Sequence, residues 1–269
     1  MIIANKEFKA GHTHIMGILN VTPDSFSDGG EYLSPDNALR RVEQMIKEGA
    51  DIIDIGGEST RPGHTPVTES EETARVLPIV KAIKKEFDIP LSVDTYKSAV
   101  ADAVLSCGVD LINDIWGLKK DNKMADTISR YGASVCIMHN RENTDYANLL
   151  DDVTADLKES IAIAKAAGIT DDKIITDPGI GFAKDYRQNL VLINNLDKLA
   201  TLGYPVLLGA SRKSVIGITL DAQTEGRLYG TLATTAVACE SGAMFVRVHD
   251  IKENFELIKM IEAIKNAIG

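Results

Sequence analysis

Long hydrophobic runs are absent from this sequence. No apolar run approaches the ~20 residues that a membrane span requires. The first residues, MIIANKEFKAGHTH, also lack the basic head and the apolar stretch of a secretory signal peptide. We therefore expect a soluble, cytoplasmic protein with no membrane partner.

Cysteine and basic residues are few. The three cysteines, Cys107, Cys136 and Cys239, lie far apart with no CxxC pair, which is typical of reduced, buried thiols. Lysine and arginine number 29 against 39 aspartates and glutamates, and the formal net charge is −10. Nonspecific binding of nucleic acid depends on basic surface that neutralises phosphates, so we expect no nucleic-acid partner.

A Gly-rich nucleotide fingerprint is missing as well. Nothing after the first predicted strand matches GxGxxG, which disfavours an open, doubly wound sheet. What the chain does contain is a repeated order of short apolar run, polar loop and helical pattern. The runs predict eight strands, at about 14–19, 51–55, 89–93, 110–113, 133–138, 173–176, 206–208 and 244–248. Eight alternations over about 250 residues predict an α/β fold, a (β/α)₈ TIM barrel, as a single domain over residues 1–269.

Several helix ends carry recognisable signals. Ser34 is placed as an N-cap before Pro35, and Gly49 stands where a C-cap would. Thr68 and Glu71 have capping-box spacing, while Pro78 predicts a kink or a late start in the same helix. Further helices are predicted at about 121–131, 148–167, 186–201 and 251–268. The first 13 residues allow a small strand or hairpin over the bottom of the barrel.

Polar side chains follow all eight predicted strands, where barrels of this kind build their active sites. Each residue alone is most simply a turn, cap or surface group, but their joint occurrence at one rim predicts a functional site. In strand order they are Asn20; Glu58, Ser59, Thr60 and Arg61; Asp94; Asn113 and Asp114; Met138 and His139; Asp177; Ser211, Arg212, Lys213 and Ser214; Arg247 and His249.

These side chains suit two tasks. The first is anion binding, for which basic groups and closely approaching loop amides are required. Its candidates are Arg61, Arg212, Lys213, Arg247 and His249. Asn20 offers a neutral oxygen that suits Mg²⁺ if phosphate and water complete the coordination shell.

The second task is recognition of a flat, donor-rich ring. Asp94, Asn113 and Asp177 end three of the strands, and buried carboxylates must be matched by hydrogen-bond donors. A heterocycle with an amino group and ring N–H groups would match them, with Ile115 and Met138 as apolar walls. Together the two tasks imply a ring joined to an anionic group.

Seven sequence blocks resemble, in order and spacing, the signature blocks of the dihydropteroate synthase family. They are NVTPDSFSDGG (20–30), DIGGESTRPG (54–63), VDTYK (93–97), NDI (113–115), DPGIGF (177–182), SRKS (211–214) and RVHD (247–250). The resemblance covers about residues 15–250. It implies a TIM barrel, often dimeric, that joins 6-hydroxymethyl-7,8-dihydropterin diphosphate to 4-aminobenzoate with Mg²⁺ and releases diphosphate.

The resemblance also implies roles for individual residues. Asp94, Asp177 and Lys213 would be catalytic, binding the pterin with Asn113, and Ile115 and Met138 would pack near it. Asn20 would hold Mg²⁺. Arg61, Arg247 and His249 would hold the diphosphate, and Thr60, Pro62, Phe26, Phe182 and Ser214 would form the aminobenzoate pocket. The loops at about 20–34 and 56–68 would close over the site. The segment MHNRENTDY after strand five differs from the family pattern, because it lacks the Gly and Pro that many members have there.

Three alternatives remain open at this point. A pterin-dependent methyltransferase acting on a corrinoid protein would share the pterin-binding acids but has no need of the long loops or of SRKS. An aldolase using a Schiff-base lysine is disfavoured because Lys213 lies in a loop, beside Arg212, rather than within a strand. A binding module without catalysis is disfavoured by the density of charged groups on one rim.

Overall fold

Eight parallel strands form the centre of the molecule. The computed structural model describes residues 1–22, 34–59 and 65–267. Two short strands, β1 (Ile2–Ile3) and β2 (Lys6–Glu7), pair antiparallel ahead of the central sheet. The sheet strands are β3 (His14–Asn20), β4 (Ile52–Gly56), β5 (Leu91–Asp94), β6 (Leu111–Asp114), β7 (Ser134–Met138), β8 (Ile174–Asp177), β9 (Leu207–Leu208) and β10 (Phe245–Val248).

The sheet curves into a barrel. Its strands pair in the order β8-β7-β6-β5-β4-β3-β10-β9, all in parallel. A parallel bridge between Thr176 and Val206 connects β8 to the chain entering β9, so the ring closes. The predicted barrel is confirmed, with strand ends within two residues of their expected places. The prediction of a single domain stays a prediction, because it also covers residues outside the described ranges.

Helices connect the strands. They are α1 (Pro35–Glu48), α2 (Glu69–Glu86), α3 (Ser98–Leu105), α4 (Met124–Tyr131), α5 (Leu149–Ala166), α6 (Tyr186–Ile193), α7 (Leu196–Ala200), α8 (Ser214–Leu220), α9 (Leu228–Glu240) and α10 (Ile251–Lys265). The single helix predicted at 186–201 is wrong, since α6 and α7 are separate, and α8 and α9 were not placed by the sequence. Within the described residues, no helix is long and apolar enough to cross a membrane.

The predicted helix caps are confirmed. Ser34 Oγ accepts a hydrogen bond from Asn37 N, and Thr68 Oγ1 accepts one from Glu71 N at 3.2 Å. Gly49 ends α1 in the left-handed region, with φ +106°. Helix α2 begins directly after Thr68 and continues through Pro78, so the expected late start is wrong.

A compact apolar layer fills the lower end of the barrel. The β1–β2 hairpin covers this end, as the sequence suggested, with Ile3 and Phe8 almost fully buried. They pack on inward-facing residues from the strands: Met16, Ile52, Leu111, Cys136, Ile175, Leu207 and Phe245. This end of the barrel is therefore sealed by side chains, and a ligand must enter from the carboxyl ends of the strands.

Candidate active site at the carboxyl ends of the strands

An ion-pair cluster lies directly above the apolar layer. Arg247 on β10 donates from Nε to Asp54 Oδ2 at 2.6 Å and from Nη2 to Asp94 Oδ2 at 2.9 Å. Asp54 is fully buried and Asp94 almost so. Burial raises the pKa of Asp94 to about 7, although the Arg247 guanidinium opposes the shift. The cluster thus holds more acid than its one arginine can neutralise.

Two carboxylate oxygens in this cluster lack partners. Within the described residues, neither Asp54 Oδ1 nor Asp94 Oδ1 accepts a hydrogen bond, and both are buried. An unmatched buried acceptor costs about 1–3 kcal/mol, more when charged. Both oxygens therefore call for donors that the described part of the chain does not supply. A ligand rich in N–H groups would satisfy them.

Asn113 and two apolar side chains line the same mouth. Asn113 Nδ2 lies 3.5 Å from Asp54 Oδ2, at the outer limit of a hydrogen bond. Its strand neighbour in the sheet is Asp94. Ile115 and Met138 follow at the ends of neighbouring strands and are almost fully buried. The structure therefore gathers the predicted polar groups and the predicted apolar walls at one place.

Asp177 and Lys213 converge on the opposite side of the barrel. A Cβ placed on Gly209 would lie 3.5 Å from Asp177 Oδ2 and 4.0 Å from Lys213 Nζ. The Lys213 ammonium lowers the pKa of Asp177, but burial outweighs it and the net shift is upward. Burial likewise lowers the pKa of Lys213 to about 8. Glycine at position 209 leaves room for a ligand to reach both groups.

Lys213 is held by main-chain and aromatic contacts. Its Nζ donates to the carbonyl oxygen of Ile180 and lies 4.7 Å from the centre of the Phe182 ring. Ser214 follows as the first residue of α8 and is exposed. Lys213, Phe182 and Ser214, all candidates from the sequence, are therefore neighbours on one side of the mouth.

The loop Asp177–Phe182 is supported from behind by His139, a strand-end candidate from the sequence, and by Lys184, which the sequence reasoning did not single out. Asp177 Oδ1 accepts from Gly179 N at 2.7 Å, and Gly179 has φ +71°. A Cβ at Gly179 would collide with the His139 carbonyl. Lys184 Nζ donates to Phe182 O at 2.8 Å and to His139 Nδ1 at 2.9 Å. Burial lowers the pKa of Lys184 to about 7.

Arg212 does not join the site, although the sequence counted it among the anion-binding groups. Its Nε donates to Asp250 Oδ2 at 3.0 Å, and its Nη2 pairs with the other oxygen of the same carboxylate. The two-pronged pair ties the loop after β9 to Asp250, the residue directly before α10. Next to it, Ser211 Oγ and His249 Nδ1 lie 3.0 Å apart, so His249 is placed near the end of β10 as expected.

Two other acidic candidates serve the framework. Asp114 accepts hydrogen bonds from Trp116 N and Leu118 N, both at 2.8 Å, and so shapes the turn after β6. Glu58 pairs with Lys97, which also contacts Glu72 at 2.5 Å. Both side chains therefore fit the simpler interpretation, in which an acid at the end of a strand shapes a turn or forms a structural ion pair.

Asn20 lies at the end of β3, half-buried and close to β4. Its Oδ1 would lie 3.4 Å from a Cβ at Gly56, so glycine keeps space open beside this oxygen. The remaining candidates, Thr60, Arg61, Pro62 and Phe26, lie outside the described residues, as do positions 23–33 of the first long loop and 60–64 of the second.

Comparison with known proteins decides the class of this site. The profile of the family described as pterin binding enzyme matches residues 16–249. The dihydropteroate synthase of Clostridium beijerinckii is 56% identical over 266 residues, covering 98% of this chain and 99% of that protein. This chain belongs to the pterin-binding enzymes, among the dihydropteroate synthases. It is an enzyme that transfers a group, and the corrinoid methyltransferase alternative is not supported.

Solved dihydropteroate synthases share the whole barrel. A crystal structure from Clostridium difficile, determined in the presence of pteroic acid, has a TM-score of 0.94 and 49% identity, covering 97% of this chain and 100% of that chain. One from Xanthomonas albilineans, with 4-aminobenzoic acid, has a TM-score of 0.91 and 37% identity, covering 96% of this chain and 94% of that chain. The family assignment therefore agrees with the geometry of the mouth.

Proposed function

We propose that this dihydropteroate synthase joins 6-hydroxymethyl-7,8-dihydropterin diphosphate to 4-aminobenzoate, by dissociative substitution, at the barrel mouth. The observation that carries the proposal is the pair of buried oxygens on Asp54 and Asp94 that have no partner within the described residues, at the same end of the barrel where Asp177 and Lys213 converge beside Gly209. Ring donors of a pterin supply what these acids lack. Relatives crystallised with pteroic acid and with 4-aminobenzoic acid support both halves of the reaction.

The pterin ring is the group that the acids bind. Asp94, Asp177 and Asn113 accept from and donate to the ring, with Ile115 and Met138 on its faces. Asp54 joins this set because it shares Arg247 with Asp94 and because, within the described residues, its Oδ1 is also buried without a hydrogen-bond partner. A hydrogen bond to a charged group contributes about 1.5–3 kcal/mol, so three acids account for specific ring recognition.

The diphosphate lies above the ring, toward Arg247, His249 and Arg61. Asn20 would contribute one oxygen to Mg²⁺, and the space that Gly56 leaves beside Asn20 Oδ1 fits such a ligand. When bound, Mg²⁺ neutralises charge that the departing diphosphate gains. Asn20→Ala should raise the Mg²⁺ concentration needed for half-maximal rate. An unchanged Mg²⁺ requirement would remove Asn20 from this role.

The carbon–oxygen bond breaks before the amine attacks. Diphosphate is a good leaving group, and the carbon left behind is conjugated to the electron-rich pterin. Fixed negative charge on Asp94 and Asp177 stabilises the positive charge that develops there. The amine of 4-aminobenzoate then attacks this carbon. Scrambling of an oxygen isotope in the pterin substrate, without aminobenzoate, tests the order; its complete absence would indicate concerted displacement.

The aminobenzoate binds on the Lys213 side of the mouth. Phe182 and Ser214 border it, together with Thr60, Pro62 and Phe26 from the two long loops. Phe182 lies against Lys213 and so connects the two substrate positions. Closure of these loops over the pterin excludes the water that would otherwise trap the cation.

We also expect a homodimer, in the cytoplasm. Helices α8 and α9 expose large apolar side chains, with Ile218 61% and Tyr229 80% accessible. Apolar surface of this kind is typical of an interface. Tyr229→Glu should shift the sedimentation coefficient from dimer to monomer. A wild-type protein that sediments as a monomer would contradict the dimer.

The direct test of the function is a product assay. Purified protein, pterin diphosphate, 4-aminobenzoate and Mg²⁺ should yield dihydropteroate and diphosphate in equal amounts. Omission of either organic substrate should abolish dihydropteroate. Failure of the complete mixture to form product would overturn the proposal.

A further inference from the structure

A second cluster of potential ligands lies at the lower end of the barrel, away from the catalytic mouth. His12, His14 and Asp51 each offer a ligand atom, and these atoms lie within 4.8 Å of one another. His12 and His14 are two residues apart at the start of β3. Asp51 directly precedes the neighbouring strand β4, so the sheet itself brings the three side chains together.

His14 presents an unused lone pair in this cluster. The residue is only 6% exposed, and among the described residues its Nδ1 has no hydrogen-bond partner. Nδ1 lies 3.6 Å from Asp51 Oδ2, beyond hydrogen-bond distance. Nε2 lies 3.3 Å from the Lys9 carbonyl oxygen, which selects the Nε2–H tautomer. In that tautomer Nδ1 is an acceptor without a donor, and it lies near a second acceptor, Asp51 Oδ2. A cation bound between the two atoms would satisfy both.

His12 has an orienting carboxylate. Its Nδ1 lies 2.7 Å from Glu262 Oε1 on α10, and the same oxygen accepts from Thr13 N at 3.1 Å. A carboxylate on one nitrogen of a histidine fixes the ring and raises the basicity of the other nitrogen. His12 is half-exposed, so solvent and ions reach it.

Asp51 supplies the negative charge. Lys6 Nζ contacts Oδ1 at 2.6 Å, while Ile15 N donates to Oδ2 at 2.9 Å. A carboxylate has about four lone-pair positions, so both contacts leave capacity for a metal.

We propose that His12, His14 and Asp51 bind one Zn²⁺ ion, with water in the fourth position. Two imidazoles and a carboxylate form a typical ligand set for zinc, and oxygen-preferring Mg²⁺ does not compete for it. Tetrahedral bonds of about 2.0–2.1 Å require ligand atoms about 3.4 Å apart, so the three ligand atoms, which now lie within 4.8 Å of one another, must draw together by about an ångström. The bound ion connects the chain entering β3 to β4 and, through Glu262, to α10.

The test is zinc binding by the full-length protein after treatment with a chelator. Equilibrium dialysis against Zn²⁺ at neutral pH should give one ion per chain for the wild type. His12→Gln keeps a polar contact to Glu262 but removes the metal-binding ring, and it should weaken binding at least tenfold. Glu7→Gln, at an exposed position on the neighbouring strand β2, is the control and should bind like the wild type. Both variants should keep the wild-type kcat/KM, because neither position belongs to the catalytic mouth.

A second readout guards against poorly folded variants. Zn²⁺ should raise the melting temperature of the wild type and of Glu7→Gln, and not that of His12→Gln. Co²⁺ should give the visible absorption of a tetrahedral site in the same two proteins only. The proposal is overturned if the wild type binds no zinc, or if His12→Gln binds it as tightly as the wild type, which would place the ion elsewhere.

Discussion

The two ends of the barrel interior use the same strands for opposite purposes. On β6, Leu111 lies in the lower layer and packs against apolar neighbours, while Asn113, two residues later, lies beside Asp54 in the mouth. The same change occurs on β4, from Ile52 to Asp54, and on β10, from Phe245 to Arg247. The lower layer is closed by apolar contacts, whereas the upper layer retains acceptors that have no donor within the described residues.

This difference separates stability from function along each strand. Burial of an apolar side chain contributes about 1.5–3 kcal/mol, so the lower layer contributes to stability. The upper layer keeps three buried acids near one arginine and one lysine, at a cost that a ligand offsets. Substitutions two residues apart on one strand should therefore affect different measurements.

The largest effect is expected at Lys213. Lys213→Ala removes the cation that faces Asp177 and contacts the Phe182 ring, and kcat should fall by about 10³-fold. Lys119→Ala, on the exposed rim where Lys119 pairs with Glu159, is the control and should remain near wild type. If kcat of Lys213→Ala falls by less than tenfold, Lys213 has no catalytic role.

The lower layer should respond in stability instead. Leu111 is fully buried, and Leu111→Ala should lower the free energy of unfolding by about 3 kcal/mol, measured by denaturant titration. Its kcat/KM should stay within threefold of wild type under conditions where it is folded. A large loss of kcat/KM with unchanged stability would contradict the separation of the two layers.

Ring binding should depend on Asp177. Asp177→Asn removes the charge while keeping the size of the side chain, and affinity for the pterin should fall by about 100-fold in isothermal titration, or about 2.7 kcal/mol. Asp114→Asn is the matched control, since Asp114 is equally buried but caps a turn. It should lose stability and keep pterin affinity; near-normal affinity in Asp177→Asn would refute the ring assignment.

The pH profile should report Asp94. Because burial raises its pKa to about 7, kcat/KM should fall about tenfold per pH unit below that value as the carboxylate is protonated. The pKa of Asp94 is higher in the folded protein than its unfolded value of 3.8. Protonation of Asp94 therefore stabilises the fold at pH values below 3.8, and this contribution is lost as the pH rises to about 7. The Asp94→Asn variant should lack this limb of the profile. Persistence of the limb would assign it to another group.

The fold could be predicted because its signals are local. Apolar runs bounded by loops located the eight strands, and Ser34, Gly49 and Thr68 marked helix ends through short-range hydrogen bonds. Helix α9 was not predicted because its sequence, LYGTLATTAVACE, has no amphipathic stripe. Two of its buried positions are threonines instead of large apolar residues. The break between α6 and α7 falls at two asparagines, which a helical pattern does not reveal.

The site could be predicted only where residue type alone suggests a role. Asp94 and Asp177 end strands, and Lys213 lies in the loop after β9, so their positions made them candidates. Asp54 was missed because it lies inside a strand read as apolar, although a carboxylate within IIDIG was itself a signal. Arg212 was misjudged because its partner Asp250 is distant in sequence, and only the tertiary fold brings the two together.

The central claim is that acids in the upper layer bind a pterin ring that the lower layer could not. A crystal structure of the protein with the pterin diphosphate substrate tests this most directly. The account predicts ring nitrogens within about 3.2 Å of carboxylate oxygens on Asp94 and Asp177, with the diphosphate toward Arg247 and His249. A ring bound elsewhere, with Asp54 and Asp94 still paired only to Arg247, would contradict it.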